Sequence, residues 1–125
     1  MTENQISYCI RGAIYEVYNG LGPGLLESVY VSALEWELQE QGLKVDREVS
    51  VPVVYKGVRL ALGFRMDLLI DQKVLIEVKS VETLHNKHHK QVLNYLKLSG
   101  LKLGILVNFN TNDIDDEIYR KVNNL

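Results

Sequence analysis

Asp67, Glu77 and Lys79 are charged residues set inside apolar runs. Asp67 interrupts Phe64, Met66, Leu68, Leu69 and Ile70, while Glu77 and Lys79 interrupt Val74, Leu75, Ile76 and Val78. Side chains alternate across a strand, so Glu77 and Lys79 share one face, as do Arg65, Asp67 and Leu69. A tight turn centred on Gln72 would pair two antiparallel strands with Asp67 opposite Glu77 and Arg65 opposite Lys79. Directly opposed carboxylates repel, and burying such a pair is costly unless a positive charge compensates. A divalent cation meets that need. Mg²⁺ is held through one or two carboxylates with several waters retained, and such an ion acts as Lewis acid and water activator in phosphate-ester hydrolysis. Lys79 would stand beside it.

The flanking sequence must build the sheet and helices that hold these groups. Ile6, Ile10, Ala13, Ile14 and Val17 recur at helical spacing and predict a helix over about Asn4 to Asn19. Gly20, Gly22, Pro23 and Gly24 end it. This loop has neither the phosphate-loop nor the dinucleotide pattern. A second helix is expected from about Leu25 to Gln41, with Leu26, Val29, Tyr30, Ala33, Leu34 and Leu38 inward and Gly42 as its stop. Glu27 falls on the edge of that stripe, where a first-turn glutamate also complements the helix dipole. Alternation over Val45 to Tyr55 predicts a half-buried strand with an edge position or bulge at Pro52. After a turn at Lys56-Gly57, a strand follows from Val58 to Ile70, bent at Gly63, and another from Lys73 to Lys79. The three form an antiparallel meander. A helix over about Leu84 to Ser99 puts His88, Gln91, Val92, Tyr95 and Ser99 on one side, beside a stripe of Lys87, Lys90, Asn94 and Lys97. Leu103 to Phe109 reads as a buried central strand reached by a parallel crossover, and about Ile114 to Val122 as a short closing helix.

Composition fits a globular chain of 125 residues, 46% hydrophobic and 24% charged. One cysteine, Cys9, excludes an intramolecular disulfide and reads as a small core residue. No apolar run approaches a membrane span and the first residues lack a signal-peptide pattern, so a cytoplasmic protein without membrane contact is expected. The net charge of −2 is unevenly spread: residues 1–43 sum to −5, 44–102 to +5 and 103–125 to −2. The positive excess coincides with the paired carboxylates, as a phosphate-binding face requires, although lysines also solvate any exposed surface. A pI near 5.9 argues against a nonspecific nucleic-acid coat protein. His85 and His89 stand four apart on a helix, but three histidines and one cysteine make a poor zinc set. Tyr30 and Tyr95 read as core residues with a polar tip, and Trp36 as a partner contact or partly buried packing.

Asp67, the strand VLIEVKS and the helix after it resemble the PD-(D/E)XK nuclease superfamily. Gly24, Glu27 and Tyr30 in GPGLLESVY stand at the spacing that names its GxxExxY protein family, and HHKQVLNYLKLSG and LKLGILVNF are similar to that family's later helix and last strand. The resemblance implies an α/β restriction-endonuclease-like core: a mixed β-sheet with an antiparallel meander and one parallel crossover, flanked by helices, formed as one domain over residues 1–125. It implies metal-dependent hydrolysis of DNA or RNA phosphodiesters. Asp67 and Glu77 would bind Mg²⁺ or Mn²⁺, with the Val78 carbonyl and Glu27 as further ligands. Lys79 would orient or activate the attacking water, and Gln91 would orient substrate or Lys79. His88, Lys87 and Lys90 are candidate substrate contacts. Met66 stands where the superfamily's name has proline. A single site nicks one strand, so paired cleavage would call for a homodimer. The competing expectation is a catalytically silent nuclease-fold module for nucleic-acid or protein binding.

Overall fold

Ile6, Ile10, Ala13, Ile14 and Val17 make one buried stripe along the first helix, α1 (Glu3–Leu21), whose start is fixed by a capping box between Thr2 and Gln5. The computed structural model describes residues 1–125. A second helix, α2 (Glu27–Glu40), lies beside α1 and buries Tyr30, Val31, Leu34 and Leu38. Its inward stripe differs from the expected one. Leu26, which precedes the helix as its cap, and Val29 are exposed, and Val31 takes a core place beside Tyr30 and Leu34.

Three antiparallel strands follow as expected: β1 (Val45–Tyr55), β2 (Val58–Ile70) and β3 (Val74–Lys79). The turn between β2 and β3 is centred where the sequence placed it. Asp71 and Gln72 both adopt positive φ (50° and 59°) and the Lys73 N–H closes on the Ile70 carbonyl at 3.0 Å, the mirror-image turn that matches strand twist. Asp71 is held there by accepting the Lys44 N–H at 2.9 Å. A third helix, α3 (Asn86–Ser99), ends on Gly100 in the left-handed conformation and carries the chain to β4 (Leu103–Asn108), which runs parallel to β3.

The C-terminal stretch is not the helix that was expected. Ile114–Glu117 forms one 3₁₀ turn, and Ile118–Val122 is a fifth strand, β5, antiparallel to β4. The acidic run from Asp113 to Glu117 makes only the single turn, whereas Ile118, Tyr119 and Val122 suit a pleated edge. The sheet order is therefore β1-β2-β3-β4-β5. Pro52 sits on the edge strand next to a shift in the β1–β2 register, and a Cβ at Gly63 opposite would lie 2.7 Å from the Val51 carbonyl oxygen.

Helices cover both faces. α1 and α2 pack with Leu68, Ile70, Ile76, Val78, Ile105 and Val107 in the larger core. α3 packs through Val92, Tyr95 and Leu96 on Met66, Leu69, Leu75 and Leu106 in the smaller one. Cys9 is half-buried at the margin of the larger core, and Trp36 is exposed.

Gly104 is the closest point between α3 and the sheet, where a Cβ would lie 2.8 Å from Val92 Cγ1 and 3.2 Å from Leu75 Cγ. Both neighbours are fully buried and Val92 is β-branched, so neither can swing away. Gly104→Ala should therefore lower stability by about 1–3 kcal/mol through overpacking. Urea unfolding checks this: the midpoint should fall while the slope with denaturant stays that of the wild type.

Candidate active site

Met66 and Leu68 are two apart on β2 and should face the same way, yet Met66 packs in the α3-side core and Leu68 in the α1/α2-side core. The strand turns over at Asp67. Its partner β1 does the same: Val45 packs with the larger core and Val49 with the smaller, and between them Glu48 has φ 50°. The pairing runs through Arg47 with Leu68 and Val49 with Met66, with no pair between Glu48 and Asp67.

The β2–β3 ladder stops at the same place. Leu68 pairs with Ile76, Leu69 with Leu75 and Ile70 with Val74, in the expected register, but the next pair, Asp67 with Glu77, is not made through the backbone. Side chains replace it. Glu77 Oε1 accepts the Asp67 N–H at 3.1 Å, and Asp67 Oδ2 accepts the Val78 N–H at 2.8 Å. The two carboxylates thus face each other across a gap in the ladder, as the register implied. The further pairing of Arg65 with Lys79 does not form, and Arg65 instead lies 3.7 Å from Glu48 on the surface.

Glu77 is 3% exposed and Asp67 half-buried. Burial and then the charge of Asp67 push the Glu77 carboxyl up to about 8, against the opposing pull of the Asp67 N–H and Lys79. Asp67 is also raised, chiefly by burial, with Glu27 adding to the rise and the Val78 N–H and Lys79 holding it down. Without a metal the pair retains a proton near neutral pH. Two hard oxygen donors that resist joint ionisation suit a divalent cation, which would take the place of that proton. The donor chemistry therefore fits a metal, although no three acidic, histidine or cysteine side chains converge as a cage.

Glu27 reaches the end of β3 from the opposite direction. Its Oε2 accepts the Ser80 N–H at 3.2 Å, and the Ser80 hydroxyl donates to the Leu25 carbonyl at 2.6 Å. The spacing of Gly24, Glu27 and Tyr30 has a local physical reason. Gly24 takes φ 90° in the turn before α2. The Tyr30 ring stacks on Phe109 at 4.2 Å, and its hydroxyl donates to the Gly22 carbonyl at 2.6 Å and accepts the Leu25 N–H at 3.1 Å. The loop is clamped, and Glu27 starts its helix against Ser80.

Lys79 opens on the other side, into a groove of about 540 Å³ shared with Phe64, Lys87, His88, Lys90, Gln91, Asn94 and Tyr95. Gln91 Nε2 donates to the Tyr95 hydroxyl at 2.8 Å, so Gln91 is tied to Tyr95 and makes no bond to Lys79. Tyr95 is shifted up by burial and by Glu77. His88 Nδ1 accepts the His85 N–H at 3.0 Å, and burial with Lys79 and Lys87 lowers its pKa, which leaves a neutral ring with Nε2–H free to donate. Glu27 lines a separate depression with Ser80 and Asn110. The candidate residues are thus gathered around the end of β3, in two depressions served by one buried pair. His85 and His89 do not form a metal pair, since the His89 ring packs nearly perpendicular to that of Tyr119, with centroids 4.7 Å apart.

The sequence reading missed Asn108. It is fully buried at the end of β4, opposite Lys79, and uses both ends of its amide: Oδ1 accepts the Val81 and Asn110 N–H groups at 3.0 and 3.2 Å, and Nδ2 donates to the Val81 carbonyl at 2.9 Å. A polar residue closing an apolar strand was its only signal. It fixes the segment that carries Lys79 and Ser80 past the carboxylates.

A family model described as the PD-(D/E)XK nuclease superfamily matches residues 4–121. The crystal structure of SSO0001 is similar, with 25% sequence identity and a TM-score of 0.60; the match covers 94% of this chain and 64% of that one. No curated protein matches significantly.

The raised Glu77 carboxyl makes stability depend on pH. Between its ordinary value of 4.5 and about 8, the folded state keeps a proton that the unfolded state releases. Stability in EDTA should therefore fall as pH rises through that window, because the unfolded state binds fewer protons. The lowered pKa of His88 works the other way. Glu77→Gln, which keeps an oxygen to accept the Asp67 N–H, isolates the Glu77 share: the variant should gain on the wild type by on the order of a few kcal/mol between pH 5 and 8. Urea midpoints across pH read this directly, and parallel curves for the two proteins would refute it.

Proposed function

Since the chain belongs to the PD-(D/E)XK nuclease superfamily, we propose that it is a divalent-metal-dependent nuclease of the GxxExxY branch, formed as one domain. The observation that carries the reading is the exchange of hydrogen bonds between Asp67 and Glu77 beside Lys79. Asp67 and Glu77 would hold Mg²⁺ or Mn²⁺, with the Val78 carbonyl and Glu27 as further ligands. When bound, such an ion supplies Lewis-acid polarisation of the phosphate and a water of lowered pKa. Lys79 shares a face with Glu77 and opens into the groove, where its ammonium orients the attacking water and stabilises charge developing on the phosphate. Gln91 holds the Tyr95 hydroxyl beside this groove, so its role is to position Tyr95 and substrate. His88 Nε2–H, Lys87 and Lys90 offer donors to the nucleic-acid backbone.

A silent nuclease-fold module is favoured by one observation: both carboxylates already accept backbone N–H groups, which satisfies them without a metal. Metal binding and turnover discriminate between the two.

Mn²⁺ titration calorimetry and cleavage of single- and double-stranded DNA and RNA should be run on the wild type, Asp67→Ala and Lys79→Ala. The wild type should bind Mn²⁺ and cleave in Mn²⁺ or Mg²⁺. Asp67→Ala should lose both properties. Lys79→Ala should keep metal binding while losing about 100-fold or more in rate. Absence of metal-binding heat and of cleavage in the wild type would establish the silent module.

A further inference from the structure

The far part of the β1–β2 hairpin stands clear of both helical layers, with every residue from Val54 to Arg65 exposed. Phe64 lies at the base of this ribbon. It is 43% exposed, whereas Tyr95, whose ring centroid lies 5.3 Å away, is 3% exposed. Phe64 also belongs to two depressions at once: the groove along α3, and a second of about 310 Å³ on the ribbon itself. The charged residues lining the two are Arg59 and Arg65 on the ribbon and Lys79, Lys87 and Lys90 in the groove. No acidic residue lines either, in a chain whose net charge is −2. Arg65 has Glu48 at 3.7 Å, but both side chains are mostly exposed and such a pair is weak.

We propose that Phe64 is a stacking platform for an unpaired base, and that the nuclease acts on a single-stranded nucleic-acid segment running from the ribbon past Phe64 into the α3 groove. The proposal rests on the nuclease reading for the cutting step, and on the cations and Phe64 for the binding step. An exposed ring between two cation-lined hollows matches a ligand with flat apolar faces joined by negative charges. Nucleotides have that form. Their faces are free only when unpaired and unstacked, so a duplex offers Phe64 no partner, while a single strand does so at every base. The specificity is then for strand state and not for sequence. The Tyr95 ring, tilted at 46° against that of Phe64, supports it and links it to the Gln91 hydrogen bond next to Lys79.

The test uses the full chain in EDTA, so that no cleavage intervenes, and a single-stranded oligonucleotide of about ten nucleotides, within the span one such site covers. 2-Aminopurine is placed at successive positions, and affinity is followed by anisotropy. At least one position should be quenched on binding to the wild type and to Phe64→Trp, and none on binding to Phe64→Leu. Affinity should fall about 5- to 100-fold in Phe64→Leu and remain unchanged in Tyr8→Ala, an aromatic residue on α1 that is 83% exposed and lines neither hollow. Phe64→Leu keeps the apolar bulk, and an unaltered thermal midpoint confirms its fold. The logarithm of affinity should fall against the logarithm of salt with a slope of up to about −3.5, for five cations on a single strand. A blunt duplex of the same sequence should bind more weakly and be indifferent to Phe64. Equal binding by Phe64→Leu and wild type, no quenching at any position, or equal displacement of the oligonucleotide by polyglutamate would each overturn the proposal. The two readings fail separately: metal-dependent cleavage that ignores Phe64 sinks the stacking platform alone, and Phe64-dependent binding without any metal-dependent cleavage sinks the nuclease alone.

Discussion

The exchange of hydrogen bonds between Asp67 and Glu77 is the constraint on which the rest of the site depends. Each carboxylate accepts a backbone N–H of the other's strand, so the pair occupies the place of one ladder step. A buried N–H left without an acceptor costs about 1–3 kcal/mol. Removing either side chain would therefore open a gap in the sheet as well as a site. Two buried carboxylates repel, and the repulsion is moderated by a retained proton and by Lys79. The arrangement is stable enough to fold and electrostatically unfinished. A second positive charge completes it.

The break in the ladder also explains the shape of the hairpin. Where β2 turns over at Asp67, β1 must turn with it, and Glu48 takes a left-handed conformation that a β-strand rarely contains. Beyond this point the two strands leave the cover of α1 and α2 and meet only α3, through Val51 and Met66. The ribbon is thus thrown clear of the sheet by the same local geometry that frees the two carboxylates from the ladder. Phe64, three residues from Asp67, is placed where the groove meets the ribbon.

Much of this was legible in residue types and spacing. The turn at Gln72, the register that opposes Asp67 and Glu77, the parallel strand after α3 and the shared face of Glu77 and Lys79 all follow from a period of two and a turn whose residues tolerate positive φ. The reversal of faces at Asp67 was not legible, because Val45 and Val49, like Met66 and Leu68, stand an even number of residues apart, as residues on one face do, while the backbone rotates between them. Both cores accept the same residue types. Asn108 was hidden for a related reason: one amide in an apolar strand carries no period, and its task is set by Val81 and Asn110, which meet it only after folding. At the C-terminus, the 3₁₀ turn and β5 were taken for a helix because Ile114, Ile118 and Val122 are also spaced by four. Pairing with β4 decided the matter in favour of a strand.

The uneven charge gains meaning from the layers. The segment of residues 1–43, which sums to −5, supplies α1 and α2 on one face of the sheet, while the α3 face and the ribbon fall within the segment that sums to +5. At physiological ionic strength exposed charges act over about 8 Å, less than the thickness of the sheet and one helical layer. A polyanion approaching the α3 face is thus attracted by the lysines there and largely shielded from the acidic helices behind the sheet. One approaching from the α1–α2 side is repelled. The modest net charge is therefore compatible with a polyanionic ligand, because the acidic excess of α1 and α2 lies across the sheet and no acidic residue lines the groove into which Lys79 opens.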